Sequence, residues 1–267
     1  MPDRLLNQDP TTSPEGGPTP LGPLGLAAFN SVFWPYLVTT TALAFFPTVG
    51  LFALSPIDKK RNLLRRFTEE WGAHYLERAP FAGVTVIGRE RIDLSKPAVF
   101  VANHESMVDI LAIMSARLPA LWVSKVENFY APVLGFNMLL NGYIPVRRGY
   151  LPSILRMVRI CLDRLADGRS LIVFPEGTRS DNGQLRPFFR GAFMLAARAN
   201  VPIIPIVHVG TRDVLSKGSF VVRPRRVTLK FLDPIHPELV DNDSRRLRDL
   251  TREIMVKELD ALRGSAG

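Results

Sequence analysis

The sequence is poor in cysteine and histidine, and both shortages limit the chemistry that it can support. Its single cysteine, Cys161, cannot form an intrachain disulfide, so nothing in the chain requires an oxidising compartment. Cys161 lies in a helical pattern with no basic cluster to lower its pKa, and we expect it to pack rather than react. Of the four histidines, His74, His208 and His236 form no ligand spacing with His104. We expect these three to be structural or surface residues, and we predict no metal site.

The chain also lacks the motifs that identify several common functional classes. It contains no GxSxG nucleophile elbow, no GxxxxGK[ST] phosphate loop and no GxGxxG dinucleotide fingerprint. It shows no zinc-finger spacing, RNA-recognition signature or basic leucine zipper, so we predict no nucleic-acid partner. The pair His104-Glu105 could begin an HExxH zinc helix, but Val108 stands where the second histidine is needed. The sequence therefore does not indicate a hydrolase, a nucleotidase, or a dinucleotide-dependent or zinc-dependent enzyme.

Charged residues are absent from a long stretch near the amino terminus. Residues 16–57 contain none, and residues 24–57 are mostly apolar, which exceeds the roughly 20 residues that cross a bilayer. Pro35 and Pro47 would kink or break a helix there. One kinked span, a shallow hairpin in one leaflet and helices packed on the following domain are all compatible with this pattern. We predict a disordered tail over residues 1–23 and a membrane-associating helical segment over residues 24–57.

A basic cluster follows the apolar segment directly, and it consists of Lys59, Lys60, Arg61, Arg65 and Arg66. By the positive-inside tendency, this cluster keeps the downstream domain on the cytoplasmic face of the membrane. The whole chain carries a formal charge of +9, with 34 Lys and Arg against 25 Asp and Glu, which suits partners that bear phosphate. We therefore expect a membrane-associated protein whose functional domain faces the cytoplasm.

The remaining residues, 58–267, are numerous enough for one α/β domain. Short apolar runs alternate with helical patterns, which predicts a layered, largely parallel sheet flanked by helices. We predict strands over residues 84–88, 98–102, 120–125, 142–146, 170–174, 203–208 and 226–232. We predict helices over residues 62–76, 106–117, 152–166, 190–199 and 243–262.

The strand over residues 98–102 leads directly into a polar cluster over residues 103–109, NHESMVD. Functional groups of α/β enzymes lie where such strands end. His104 and Asp109 are five residues apart, so one imidazole nitrogen can face a cleft while the carboxylate holds the other. An imidazole oriented in this way accepts a proton near neutral pH. His104 is therefore a candidate general base, and Asp109 is its partner.

Three further blocks follow in order. Residues 141–149 read NGYIPVRRG, residues 174–180 read FPEGTRS and residues 201–205 read VPIIP. Together with the NHxxxxD block at residues 103–109, they resemble the four sequence blocks of the glycerolipid acyltransferases, which are typified by the 1-acyl-sn-glycerol-3-phosphate (lysophosphatidic acid) acyltransferases. The resemblance covers about residues 70–235.

The resemblance implies that an acceptor hydroxyl attacks an acyl thioester directly, with His104 as its base and Asp109 as the residue that fixes the imidazole tautomer. No protein nucleophile is required, and no cofactor is expected beyond acyl-CoA or acyl-ACP as co-substrate. The implied substrate-binding residues are Arg148, Glu176, Gly177, Thr178 and Arg179. Arg148 matches the basic residue of the family's second block, whereas Arg147 stands where many members carry an acidic residue.

The residue types in the FPEGTRS block suit the binding of an anion. Gly177 permits close approach of backbone amides, and Arg179 can hold phosphate oxygens in a fork. Glu176 can orient Arg179 or the loop, or contact the acceptor. Lys125, at the end of its predicted strand, is a further candidate for phosphate binding, and equally an ordinary exposed lysine. Several cations that converge on one cleft would suit a phosphomonoester with a charge near −2.

These observations predict a membrane-bound acyltransferase that moves a fatty acyl group to the free hydroxyl of 1-acyl-sn-glycerol 3-phosphate and forms phosphatidate. Its partners would be the phosphorylated lysolipid acceptor, the acyl-CoA or acyl carrier protein donor, and membrane lipids. Two alternatives stay open. The acceptor could be another lysolipid or glycerol 3-phosphate, or the chain could be a non-catalytic lipid-binding relative that retains the blocks.

Overall fold

A computed structural model describes residues 21–78 and 83–264 of the chain. At its centre is a seven-stranded sheet with the order β1-β7-β6-β2-β5-β3-β4. The strands are β1 (Gly83–Ile87), β2 (Val99–Ala102), β3 (Ala120–Lys125), β4 (Ile144–Val146), β5 (Ser170–Val173), β6 (Ile203–Val209) and β7 (Arg226–Phe231). Only the β6 and β7 pair is antiparallel among these neighbours. The prediction of a largely parallel α/β sheet is confirmed.

Helices flank this sheet. In the described ranges they are α1 (Pro23–Ala53), α2 (Asn62–Glu77), α3 (Val108–Ser115), α4 (Leu134–Leu140), α5 (Leu151–Ala166), α6 (Gly191–Ala199), α7 (Thr211–Val214) and α8 (Ser244–Gly264). The sequence predicted α2, α3, α5, α6 and α8 to within about two residues at each end. It did not predict α4 and α7, because helices of seven and four residues are too short to show an apolar period.

The core lies on both faces of the central strands. All four residues of β2 are buried, and so are the first six residues of β6, which is the pattern of a strand covered on both sides. The VPIIP block therefore contributes to the core through β6. Cys161 on α5 is buried in the same core, and its burial raises the pKa of the thiol to about 12, so that it packs as an apolar group.

Helix α1 runs without interruption through Pro35 and Pro47. It is fastened to the rest of the chain near both of its ends. Asn30 exchanges two hydrogen bonds with the backbone of Val222, at 2.9 and 2.8 Å, and Thr48 accepts one from Asn137 Nδ2 at 3.1 Å. At ~1.5 Å per residue these attachments lie about 27 Å apart along the helix, so α1 is docked lengthwise.

The outer face of α1 is apolar and exposed. Its large exposed side chains include Leu24, Val32, Tyr36, Val38, Leu43, Phe46 and Val49. By length and composition the helix could cross a membrane, and only Ala44 and Thr48 of its residues are buried. This unburied apolar surface indicates association with a membrane. The tail predicted over residues 1–23 lies outside the described residues as far as residue 20, and the domain boundaries stay predictions.

Candidate active site

Four neighbouring strands deliver the predicted site residues to one edge of the sheet. Strands β2, β5, β3 and β4 lie side by side and run parallel, so their carboxyl ends meet. His104 follows β2, the FPEGTRS block follows β5, Lys125 ends β3 and Arg148 follows β4. The topology therefore places segments that are far apart in sequence around a common edge.

His104 and Asp109 form a hydrogen-bonded pair. His104 Nδ1 lies 2.7 Å from Asp109 Oδ2, and the same oxygen accepts the backbone N–H groups of Glu105 and Ser106 at 2.7 and 2.9 Å. These amides precede α3, so the carboxylate also stabilises the start of that helix. The His104 ring stacks on Phe174, with centroids 4.0 Å apart. The imidazole is 15% exposed and the carboxylate 0%, which leaves only the base open to a substrate.

The electrostatic surroundings keep Asp109 ionised. Burial by itself would raise the pKa of this carboxyl, but the charge of the neighbouring His208 imidazole and the hydrogen bond from His104 outweigh burial and hold the pKa well below its usual range. Asp109 is therefore an anion at neutral pH. An anion in that position stabilises the imidazolium that forms when His104 takes a proton.

Glu176 ties the FPEGTRS block to the backbone of His104. Its Oε1 accepts the N–H of His104 at 2.7 Å, and its Oε2 accepts the N–H of Arg186 at 2.8 Å. The N–H of Ser180 donates to the carbonyl of His104 at 2.7 Å, so the block holds the base from both sides. Burial raises the pKa of Glu176 to about 7. The structure thus gives Glu176 a loop-orienting place, and its contact with the acceptor stays a prediction.

The predicted cationic residues differ in their surroundings. Arg179 is half-buried, and in the described part of the chain no hydrogen bond or ion pair engages its guanidinium. Gly177 adopts φ +72°, and a Cβ atom built on it would lie 3.8 Å from Arg148 Cζ, so Arg148 borders the FPEGTRS loop. Thr178 is exposed on that loop. Lys125 instead pairs with Glu127 at 3.3 Å on the surface, and its role in phosphate binding stays a prediction.

Several polar groups at the site were given no role by the sequence. Arg263, in the last turn of α8, donates to Glu105 Oε1 at 2.7 Å and to the carbonyl of Gly183 at 2.6 Å. Glu105 is buried, and burial raises its pKa. Asn103 bonds the backbone of His208 on β6. Of these residues, only Asn103 could have been singled out from the sequence, because it belongs to the NHxxxxD block. Arg263 lies 158 positions from Glu105, so no local pattern connects the two.

No ligand set for a metal ion is present in residues 21–78 and 83–264: no group of three or more His, Cys, Asp or Glu side chains there could hold one. The ionisable groups at the site are instead arranged around one imidazole. A partly exposed imidazole bonded to an ionised carboxylate is the arrangement of a general base.

Comparisons with known proteins agree with this class. The model of the acyltransferase family, described as Acyltransferase, matches residues 83–209. A 1-acyl-sn-glycerol-3-phosphate acyltransferase of Chlamydomonas reinhardtii is 34% identical over 232 residues, which are 85% of this chain and 67% of that protein. The mouse 1-acyl-sn-glycerol-3-phosphate acyltransferase alpha is 36% identical over 178 residues, 65% of this chain and 62% of its own length.

The fold comparison points the same way. The crystal structure of the 1-acyl-sn-glycerophosphate acyltransferase from Thermotoga maritima superposes with a TM-score of 0.75 at 25% identity, and the match covers 89% of this chain and 98% of that one. The fold and the site define the chain as an acyltransferase. More narrowly, it belongs to the family of 1-acyl-sn-glycerol-3-phosphate acyltransferases.

Proposed function

We propose that the protein transfers a fatty acyl group from a thioester donor to the free hydroxyl of 1-acyl-sn-glycerol 3-phosphate, and so forms phosphatidate. The observation that carries this proposal is the His104–Asp109 pair at 2.7 Å. It is bordered by the FPEGTRS loop, whose Ser180 N–H donates to the His104 carbonyl at 2.7 Å and whose Arg179 guanidinium makes no hydrogen bond or ion pair in residues 21–78 and 83–264. A base and a cation that share one sheet edge suit an acceptor that carries both a hydroxyl and a phosphate.

The reaction follows from these positions. His104 takes the hydroxyl proton as the acceptor oxygen attacks the thioester carbonyl, and Asp109 stabilises the resulting imidazolium. The new C–O ester bond forms, the C–S bond breaks, and the imidazolium returns its proton to the departing thiolate. The donor is acyl-CoA or acyl carrier protein, and the reaction balances without a further cofactor.

The acceptor phosphate is bound by the cations that border the FPEGTRS loop. The Arg179 guanidinium has no protein partner in the described chain, and Arg148 lies beside Gly177, so both can receive phosphate oxygens. Thr178 is exposed on the same loop and supplies a hydroxyl donor. Lys125 adds a positive charge at the neighbouring strand end, at the cost of its surface pair with Glu127.

The protein works at a membrane surface, with its catalytic domain on the cytoplasmic face. Helix α1 is docked lengthwise, so its exposed side chains can enter a leaflet only together with the domain surface that borders them. An in-plane arrangement satisfies both the apolar face and the polar attachments. The exposed members of the basic cluster after α1, Lys59, Lys60 and Arg66, face anionic lipid head groups in this orientation, whereas Arg65 is paired with Glu69.

The test is release of free thiol from an acyl thioester by the detergent-solubilised, purified protein. Lysophosphatidate, glycerol 3-phosphate and uncharged or zwitterionic lysolipids are compared as acceptors. We expect the highest rate with lysophosphatidate, and a loss of about 10²–10⁴-fold in the His104→Ala variant, as for other general bases. His236→Ala is the matched control, because the His236 side chain is 59% exposed and lies 4.0 Å from its ionic neighbour Glu238.

The outcomes separate the competing functions. Wild-type protein that releases no thiol with any acceptor refutes acyl transfer and favours a non-catalytic lipid-binding role. Faster turnover of glycerol 3-phosphate or of an unphosphorylated lysolipid refutes the proposed acceptor. Equal rates for His104→Ala and the control would remove His104 from the mechanism.

A further inference from the structure

A second imidazole lies against the carboxylate of the His104–Asp109 pair. His208 is 0% exposed, and its Nε2 lies 3.0 Å from Asp109 Oδ1. The other oxygen, Oδ2, already accepts from His104 and from two backbone amides. Within residues 21–78 and 83–264 neither Oδ1 nor the ring nitrogens of His208 make a hydrogen bond of good geometry, so their 3.0 Å approach is a close electrostatic contact. The two histidines therefore stand on opposite oxygens of one buried carboxylate.

The peptide of His208 is fixed relative to the base. Asn103, the residue before His104, accepts the N–H of His208 through Oδ1 and donates through Nδ2 to its carbonyl, both at 3.0 Å. Strand β6, which carries His208, pairs in parallel with β2, which leads to Asn103. One amide side chain thus couples the position of His208 to that of the residue next to the base.

We propose that His208 is a positioning residue for acyl transfer, which rests on the function proposed above. The close contact of its Nε2 with Oδ1 restrains the carboxylate, so that Asp109 keeps its plane and Oδ2 stays directed at His104 Nδ1. A buried carboxylate oxygen with no positive neighbour would be poorly solvated, and its charge would weaken the fixed orientation of the group. Because His208 touches Asp109 and not the reacting atoms, it acts through the base.

The charged groups around His208 favour a proton on its ring. Burial alone lowers the pKa of His208, but Asp109 on α3, Glu105 before α3 and Glu176 after β5 outweigh burial and raise it. The contact with Asp109 is attractive when Nε2 carries a proton, which one neutral tautomer and the cation both supply. Arg263 offsets part of the negative charge through its pair with Glu105.

The test compares His208→Leu with His208→Gln, because the glutamine amide retains a donor and leucine retains only the volume. We expect His208→Leu to lower kcat by about 10- to 100-fold, the range typical of an orienting partner, with the acceptor KM unchanged. His208→Gln should stay within about threefold of the wild type. His74→Gln on α2 is the matched control, and thermal unfolding shows that each variant folds.

The pH profile separates a positioning role from a purely structural one. Without a donor on Oδ1, Asp109 holds its full charge toward His104, which favours the imidazolium. The acid limb of kcat/KM should therefore move to higher pH in His208→Leu, and by less in His208→Gln, which keeps a donor but not the charge. A folded His208→Leu variant with wild-type kcat and an unmoved acid limb overturns the inference, and so does equal impairment of both variants.

A spectroscopic measurement keeps this test independent of the assay. The chain has only four histidines, so ¹⁵N imidazole spectra can be assigned by single substitutions. We expect the His208 spectrum to show a proton on Nε2 at neutral pH, and an unprotonated Nε2 would overturn the inference. Failure of the wild type to transfer any acyl group would instead refute the proposed function, while the spectrum still reports the contact with Asp109.

Discussion

Replacement of Glu176 by glutamine tests whether the FPEGTRS block works by holding the base in place. Both carboxylate oxygens accept backbone N–H groups, one from His104 and one from Arg186, at 2.7 and 2.8 Å. A glutamine side chain offers one carbonyl oxygen and one NH₂ group. One of the two backbone N–H groups must then face another donor. The change leaves the size of the side chain almost unaltered.

The magnitude follows from the lost acceptor. A buried N–H left without a partner costs about 1–3 kcal/mol, so Glu176→Gln should lose that much stability and Glu176→Ala about twice as much. At ~2–4 °C per kcal/mol, the melting temperature of the glutamine variant should fall by about 2–12 °C. If the whole loss falls on the geometry of the transition state, kcat falls by about 5- to 150-fold.

The assay pairs thermal unfolding in detergent with thiol release at saturating substrate. Glu238→Gln is the matched control, since this glutamate lies on the exposed 3-10 turn Pro237–Val240 with a side chain that is 56% exposed. Glutamine also mimics the uncharged acid, and Glu176 has its pKa raised to about 7 by burial. If Glu176→Gln kept the wild-type Tm and kcat, the two backbone hydrogen bonds that Glu176 accepts would not matter for stability or activity, and the reasoning would be refuted.

Two further predictions concern the loop glycine and a buried glutamate. In Gly177→Ala the backbone keeps φ +72° and the new Cβ lies within 2.6 Å of a Phe189 ring atom, whereas in Gly168→Ala the backbone keeps φ +74° and the new Cβ meets open space. Both variants should lose about 1–2 kcal/mol of stability from the backbone conformation, but only Gly177→Ala should lose activity. Equal kcat values for the two variants would contradict this prediction. Burial raises the pKa of Glu69 from 4.5 to about 7, so its contribution to stability is full below pH 4.5 and is lost as the pH rises through 7. The fall in Tm from pH 5 to pH 8 should therefore be smaller in Glu69→Gln than in the wild type, and identical falls would rule the effect out.

The sequence predicted those parts of the site that a local pattern encodes. The five-residue spacing of His104 and Asp109 bridges a strand end and a helix start, so both partners are set by a few neighbouring residues. The strands that bring the four blocks together show their own apolar runs, and parallel pairing then determines which of their ends meet. The residue spacing and the apolar runs are both short-range patterns, and such patterns are visible in a single sequence.

The rest of the site depends on contacts that no local pattern displays. His208 belongs to an apolar strand, and its partner on α3 becomes visible only when β6 is laid beside β2. Arg263 reaches Glu105 from the end of α8, across the whole domain. The sequence left the role of Glu176 open among three alternatives, because the direction of a side chain in a loop is set by the amides around it.

The charged residues of the site fall into two groups, buried carboxyl groups and less buried arginines. The carboxyl groups of Asp109 and Glu176 are buried, whereas Arg148 is exposed and Arg179 is half-buried. The buried Asp109 carboxylate favours the imidazolium as it forms, but the same charge would repel a phosphate brought to the base. In the proposed reaction, the less buried cations offset this repulsion. Proton removal and phosphate binding could then share one sheet edge because the two kinds of charge differ in burial.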